Sequence, residues 1–216
     1  MTRRVAIGVL ASGGGTNLQA LIDHCADETF PARIVVVAGN RPNAGALERA
    51  RKAGINTEVV LRRDHEDRPA FDREMVARLR AHGVEWVCLA GYMRLVTPEF
   101  LQAFSGRVLN IHPSLLPAFP GLDAQGQAHA AGVRASGCTV HFVDEGTDTG
   151  PIIAQGVVPA LADDTAQDLQ QRILAMEHRL YPMVLRMVAE GRVELRGRDV
   201  SVSLRDGESL TLGIST

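Results

Sequence analysis

The chain has 216 residues, 45% of them hydrophobic, enough to bury a full core and few enough for one large domain. Its 23 basic and 25 acidic residues nearly cancel, so charge implies neither a nucleic-acid backbone nor an acidic membrane surface as partner. Cys25, Cys88 and Cys138 are far apart, odd in number and set among apolar neighbours, without the paired spacing of a zinc site or disulfide framework, and read as buried free thiols in a reducing cytoplasm.

At the N-terminus, "MTRRVAIGVLASGGG" passes into a glycine turn rather than a longer apolar core with a cleavage site. No uncharged run approaches the roughly 20 residues that cross a bilayer, so a soluble, intracellular protein is expected. Short β-branched runs then alternate with helical patterns: "RVAIGVLA" and "NLQALIDHCA", "ARIVVVAGN" and "AGALERARKAG", "NTEVVL" and "PAFDREMVARLRAHG", "EWVCLAGY" and "PEFLQAF", and last "RVLNIH". Leu18, Leu21, Ile22 and Cys25 fall at i, i+3, i+4 and i+7, and Phe71, Met75, Val76 and Leu79 form a second such face. Strands such as "IVVVA" are apolar on both faces. The pattern predicts an α/β fold with an open, mostly parallel twisted sheet and helices on both faces, in which ligands sit beyond the carboxyl ends of the strands.

After residue 120 the pattern changes. "GCTVHFV" and "PIIAQGVVP" read as two further strands joined by the loop "DEGTDTG", followed by a long helix over about residues 165–190. The tail from Val193 alternates and contains Asp206-Gly207, which predicts a small terminal hairpin. One domain over 1–216 is expected, with its parts over 1–110 and 111–195 and a terminal extension over 196–216.

"ASGGGTN" lies between the first strand and the first helix, where backbone N–H groups and the helix dipole favour an anion. It is not a P-loop, because no lysine follows. Nor is it a dinucleotide fingerprint: Leu18 stands where the third glycine belongs, and Asn40 where an acid usually ends the second strand. What remains is a site for a single phosphate around Gly14 and Gly15 with Thr16 and Asn17, or a tight turn with a Thr or Asn helix cap.

In "RVLNIHPSLLPAFPG", Asn110 and His112 stand at i and i+2 on a strand, so both side chains leave on the same side. An amide N–H₂ can donate to a developing oxyanion and an imidazole can move a proton, while Pro113, Pro117 and Pro120 stiffen the exit. An imidazole needs an orienting acid, and Asp144, Glu145 and Asp148 are all candidates. The alternative is a strand-end histidine with an acidic surface turn.

These stretches, together with "AGYMRLVTPEF" and "RILAMEHRLYP", resemble the formyl-transfer domain shared by enzymes that use 10-formyltetrahydrofolate. Over roughly residues 4–195 they are most similar to the folate-dependent phosphoribosylglycinamide formyltransferases. That resemblance implies transfer of a formyl group from 10-formyltetrahydrofolate, as co-substrate, to the amine of 5-phosphoribosylglycinamide in purine synthesis, with no metal or nicotinamide. By the same resemblance, Asn110, His112 and Asp148 match the catalytic trio, Gly15, Thr16 and Asn17 the phosphate segment, and Glu177 the acid at the glycinamide end. Without it, Glu177 reads as a solvated helix residue. Arg68, Met93, Arg94, Leu95, Val96 and Asn110 match the folate-contacting positions, although part of each of the Met93, Leu95 and Val96 side chains also reads as core.

In one respect the sequence departs from the family: the histidines often found after "PGL" are replaced by Asp123 and Gln125, and no role is carried over there. His129, His141 and His178 are read as structural or peripheral. The expected partners are small-molecule substrates, with no nucleic acid and no membrane, for a cytoplasmic monomer or homodimer. The alternatives are a formyltetrahydrofolate hydrolase or a formyltransferase acting on another amine. The tRNA-directed relative carries an additional C-terminal domain and the hydrolase an N-terminal one, and the length of this chain is expected to leave room for neither.

Overall fold

A computed structural model describes residues 3–213. Its contacts divide into two compact units, Met1–Asn110 and Ile111–Thr216.

In the first unit, β1 (Val5–Leu10), β2 (Ala32–Gly39), β3 (Asn56–Val59), β4 (Trp86–Leu89) and the start of β5 (Val108–His112) all pair in parallel. Their spatial order is β5-β4-β1-β2-β3. Helices α1 (Thr16–Cys25), α2 (Gly45–Lys52), α3 (Arg68–Ala81) and α4 (Pro98–Ala103) make the crossovers. Consecutive residues of a strand point to opposite faces, and Val36, Val37 and Ala38 are all fully buried, so the sheet is covered on both sides as its apolar runs predict. Chain order reverses between β1 and β4, the switch point where open α/β sheets bind ligands.

The helices form where their sequences direct. The Asp67 carboxylate caps α3 by accepting from Ala70 N at 2.7 Å, and Phe71, Met75 and Leu79 bury its inner face completely. Each such side chain contributes about 1.5–3 kcal/mol of burial.

In the second unit, β6 (Ala135–Phe142) and β7 (Ile152–Pro159) run antiparallel, and β10 (Thr211–Leu212) adds parallel to β7. Helix α6 (Ala166–Ala189) packs on β6 and β7 through Leu169, Ile173, Leu180, Tyr181, Val184 and Leu185, all fully buried. Thr165 and Asp168 form a reciprocal capping box at its start.

Two local expectations are revised. The segment between Gly121 and Gly132, to which the sequence pattern assigns no element, contains the short helix α5 (Ala124–Ala130), capped by the Asp123 carboxylate accepting from Gly126 N. A tail hairpin forms from β8 (Val193–Arg196) and β9 (Asp199–Val202), but it turns at Gly197-Arg198 rather than at Asp206-Gly207. Gly197, at φ 63°, supplies the left-handed backbone a two-residue turn needs. The last three residues of the tail, 214–216, lie outside the described residues.

Candidate active site

The first cluster lies at the switch point of the first unit. Gly15 is the N-cap of α1 in the left-handed region, φ 76°, and a Cβ there would stand 2.6 Å from Ala46 Cα, so both conformation and space demand glycine. No side chain caps α1, so the Thr or Asn cap considered from sequence does not form. Thr16 and Asn17 open the helix, half-buried, with the glycine amides before them.

Buried Ser12 joins three strand ends. Its N–H donates to Gly91 O at 3.1 Å, its hydroxyl donates to Asn40 Oδ1 at 2.7 Å, and it accepts from Met93 N at 3.0 Å. Asn40, where a dinucleotide enzyme would place an acid, thus serves as a tie between β2 and the glycine loop.

The segment after β4 is fastened to α3. Arg68 donates to Leu95 O at 2.9 Å, the Asp72 carboxylate accepts from Thr97 N at 2.7 Å, and the Arg94 guanidinium lies 4.5 Å above the Phe71 ring. Burial raises the Asp72 carboxyl above its usual range, partly offset by the Thr97 hydrogen bonds and by Arg94 and Arg68. Met93 and Leu95 are 58% and 52% exposed and Val96 is half-buried, so only part of each side chain is covered. With the backbone held from α3 and Ser12, their apolar side chains are presented outward.

The second cluster lies in the second unit. His112, 4% exposed, ends β5, and its Nδ1 stands 3.2 Å from Asp148 Oδ2, while its Nε2 is 2.9 Å from Phe119 O. Both partners are oxygens that only accept, so each ring nitrogen faces an acceptor. Asp148 therefore stands with the imidazole. Asp144 faces elsewhere, accepting from Gly146 N, Thr149 Oγ1 and Arg198, and Glu145 is exposed.

The acid is itself fixed. Asp148 Oδ2 accepts from Gly121 N at 2.8 Å, and its backbone is left-handed at φ 55°, a costly conformation that the surrounding loop must hold. Arg198, at the hairpin turn, donates to Thr149 O at 2.6 Å and to Asp144, bracing the same loop.

His141, read from sequence as structural or peripheral, adjoins this pair: its Nε2 is 3.7 Å from Asp148 Oδ1, and its Nδ1 is 2.7 Å from Phe142 O. Burial lowers its pKa, against the opposing pull of the Phe142 carbonyl and Asp148. The Phe142 carbonyl only accepts, so the contact is completed by a hydrogen on Nδ1. Asn110 stands two residues before His112 on β5, half-buried. Glu177 is 5% exposed on the inner face of α6, so the solvated reading is overturned, and its charge, after burial itself, helps raise the Cys138 thiol. All three cysteines are buried and free. His129 is at the surface, its Nε2 2.8 Å from Asp164 O.

Residues 4–185 match the family described as Formyl transferase, and the chain belongs to it. The chain is 48% identical over 191 residues to the trifunctional purine biosynthetic protein adenosine-3 of Drosophila melanogaster, covering 88% of this chain and 14% of that protein. It thus spans about one seventh of that relative's length. It is 44% identical over 180 residues to the phosphoribosylglycinamide formyltransferase of Bacillus subtilis, covering 83% of this chain and 92% of the relative. The crystal structure of glycinamide ribonucleotide transformylase 1 from Symbiobacterium toebii superposes with a TM-score of 0.90 at 54% identity, over 92% of this chain and 94% of that one.

Proposed function

We propose that the chain transfers the formyl group of 10-formyltetrahydrofolate to the amine of 5-phosphoribosylglycinamide, giving the N-formyl nucleotide and tetrahydrofolate. The observation that carries this reading is the buried His112 facing Asp148 at 3.2 Å, on the motif positions shared with formyl-transfer enzymes. The substrate amine attacks the formyl carbon and forms the new C–N bond. The tetrahedral oxyanion then collapses, the bond to folate N10 breaks, and one proton passes from the amine to N10.

In this scheme Asn110 donates its amide hydrogen to the oxyanion, and His112 stabilises charge and moves the proton. Asp148 orients the imidazole and balances the charge it takes on. His141 donates to the Phe142 carbonyl, which fixes its ring beside the carboxylate. For His112 to meet a substrate proton, the Phe119 carbonyl must release its Nε2.

Gly15, Thr16 and Asn17 hold the phosphate, and Glu177 receives the glycinamide end. Arg68, Met93, Arg94, Leu95 and Val96, with Asn110, meet the folate, the pterin against the backbone of the 93–96 segment. The protein acts in the cytoplasm on small molecules, as a monomer or homodimer. No described helix is long and apolar enough to cross a membrane.

The test is an absorbance assay for the deformylated folate with both substrates present. Turnover that requires phosphoribosylglycinamide supports the transferase, whereas equal turnover without it makes the chain a hydrolase. His112→Ala is expected to lose most of that turnover while keeping its melting temperature.

A further inference from the structure

We infer that Arg49 of α2 is a positioning residue that clamps the glycine loop from behind and points its amides at the phosphate. The inference deepens the proposed function and rests on its assignment of Gly15, Thr16 and Asn17 to the phosphate.

Two consecutive carbonyls of the loop are held by the same helix. Gly13 O accepts from Ala46 N at 3.0 Å, and Gly14 O accepts from Arg49 Nε at 2.8 Å. A trans peptide is planar, with its C=O and N–H pointing in opposite directions. Fixing Gly13 O on α2 therefore turns the Gly14 N–H away from α2, and fixing Gly14 O on the guanidinium does the same for the Gly15 N–H.

Gly15, left-handed at φ 76°, then sets the turn from its own N–H to the first amides of α1, as in an anion-binding concavity of successive N–H groups. Arg49 is itself steadied, because its Nη1 donates to Gln19 Oε1 at 3.2 Å, one turn inside α1. The fit leaves no slack: a Cβ on Gly45 would meet Gly14 O at 3.2 Å, so α2 and the loop lie backbone against backbone. The guanidinium also withdraws electrons from the Gly14–Gly15 peptide through its carbonyl, which strengthens the Gly15 N–H as a donor. Arg49 thus acts on the phosphate without touching it.

The test compares wild type, Arg49→Ala, Arg49→Lys and Gln19→Ala with phosphoribosylglycinamide and with its dephosphorylated riboside, alongside competition by inorganic phosphate. One lost hydrogen bond to a charged group predicts that Arg49→Ala raises the nucleotide KM and the inhibition constant of phosphate about ten-fold, with kcat and the folate KM within about two-fold. The preference for nucleotide over riboside, as a ratio of kcat/KM, falls by the same factor. Arg49→Lys retains one donor and shows about a three-fold effect, as does Gln19→Ala, which removes only the brace.

An unchanged preference in a folded Arg49→Ala overturns the clamp. So do equal losses on nucleotide and riboside, which mark a merely structural role. If Arg49→Ala does not fold, unchanged nucleotide KM in both Arg49→Lys and Gln19→Ala overturns it. A wild type that uses the riboside as well as the nucleotide removes the phosphate assignment and the clamp together, a result distinct from failure of the variants alone.

Discussion

Replacing Asp148 with asparagine keeps the shape of the side chain and removes its charge. The amide oxygen can still accept from Gly121 N, 2.8 Å away in the native chain, so fold and loop position are expected to survive. What disappears is the charge opposite His112, 3.2 Å from its Nδ1, in a pair whose side chains are 5% and 14% exposed. At an effective dielectric constant near 20, a unit charge pair about 4 Å apart is worth about 4 kcal/mol, and a charge-assisted hydrogen bond about 1.5–3 kcal/mol. These overlap, so the loss is about 3–4 kcal/mol wherever the imidazole is charged in the transition state, or about 10²–10³ in kcat. Steady-state rates with both substrates saturating, beside thermal melting, read this directly. A folded Asp148→Asn enzyme whose kcat stays within about three-fold of wild type would refute the assignment of Asp148 and the charge argument with it.

Glu177→Gln is expected to raise the KM for phosphoribosylglycinamide about ten-fold and leave that for the folate unchanged, since under the proposed function this buried acid would receive the glycinamide end through a charge-assisted bond; equal changes in both KM values would count against it. Leu180→Ala, at a fully buried position of α6, should cost about 2–5 kcal/mol in denaturant unfolding, and a loss under about 1 kcal/mol would show that the α6 packing is not as described. The Asp164 carboxyl is held down to about 2, chiefly by its hydrogen bonds to Arg172. A depressed carboxylate stabilises the fold above its unfolded value of about 4, a contribution lost as pH falls toward 2. Asp164→Asn should therefore melt below wild type at pH 7 and converge with it near pH 2; a gap independent of pH would contradict the ion pair.

Much of the molecule is written in local pattern. The five parallel strands are legible because runs such as "IVVVA" have no polar face, and α6 because Leu169, Ile173, Leu180 and Val184 repeat at helical spacing behind a Thr165-to-Asp168 cap. Glu177 carried a readable signal: it falls four residues after Ile173 and three before Leu180, within the apolar stripe, where a solvated acid does not belong. His141 carried less. Between Val140 and Phe142 it looks like any strand residue, and only the return of the 143–150 loop sets Asp148 beside it. The choice of Asp148 over Asp144 and Glu145 came from resemblance to a family, because three acids in five residues offer no local basis for ranking.

The tail misled for a physical reason. Asp206-Gly207 is the stronger isolated turn signal, but Val193 and Leu195 find Val202 and Val200 across Gly197-Arg198, and cross-strand pairing sets the register. How far Met93 and Leu95 are exposed is not legible from their apolarity; the ties from Arg68 and Ser12 that hold their backbone join residues far apart in sequence. Arg49 is invisible in the sequence for the same reason: its carbonyl partner lies 35 residues away.

The central claim is transfer, and the fate of the formyl carbon tests it most directly. With isotope-labelled 10-formyltetrahydrofolate and phosphoribosylglycinamide, the account predicts that label appears in the nucleotide in one-to-one ratio with tetrahydrofolate and that free formate does not accumulate. Label recovered as formate at the same rate with or without the nucleotide would contradict it.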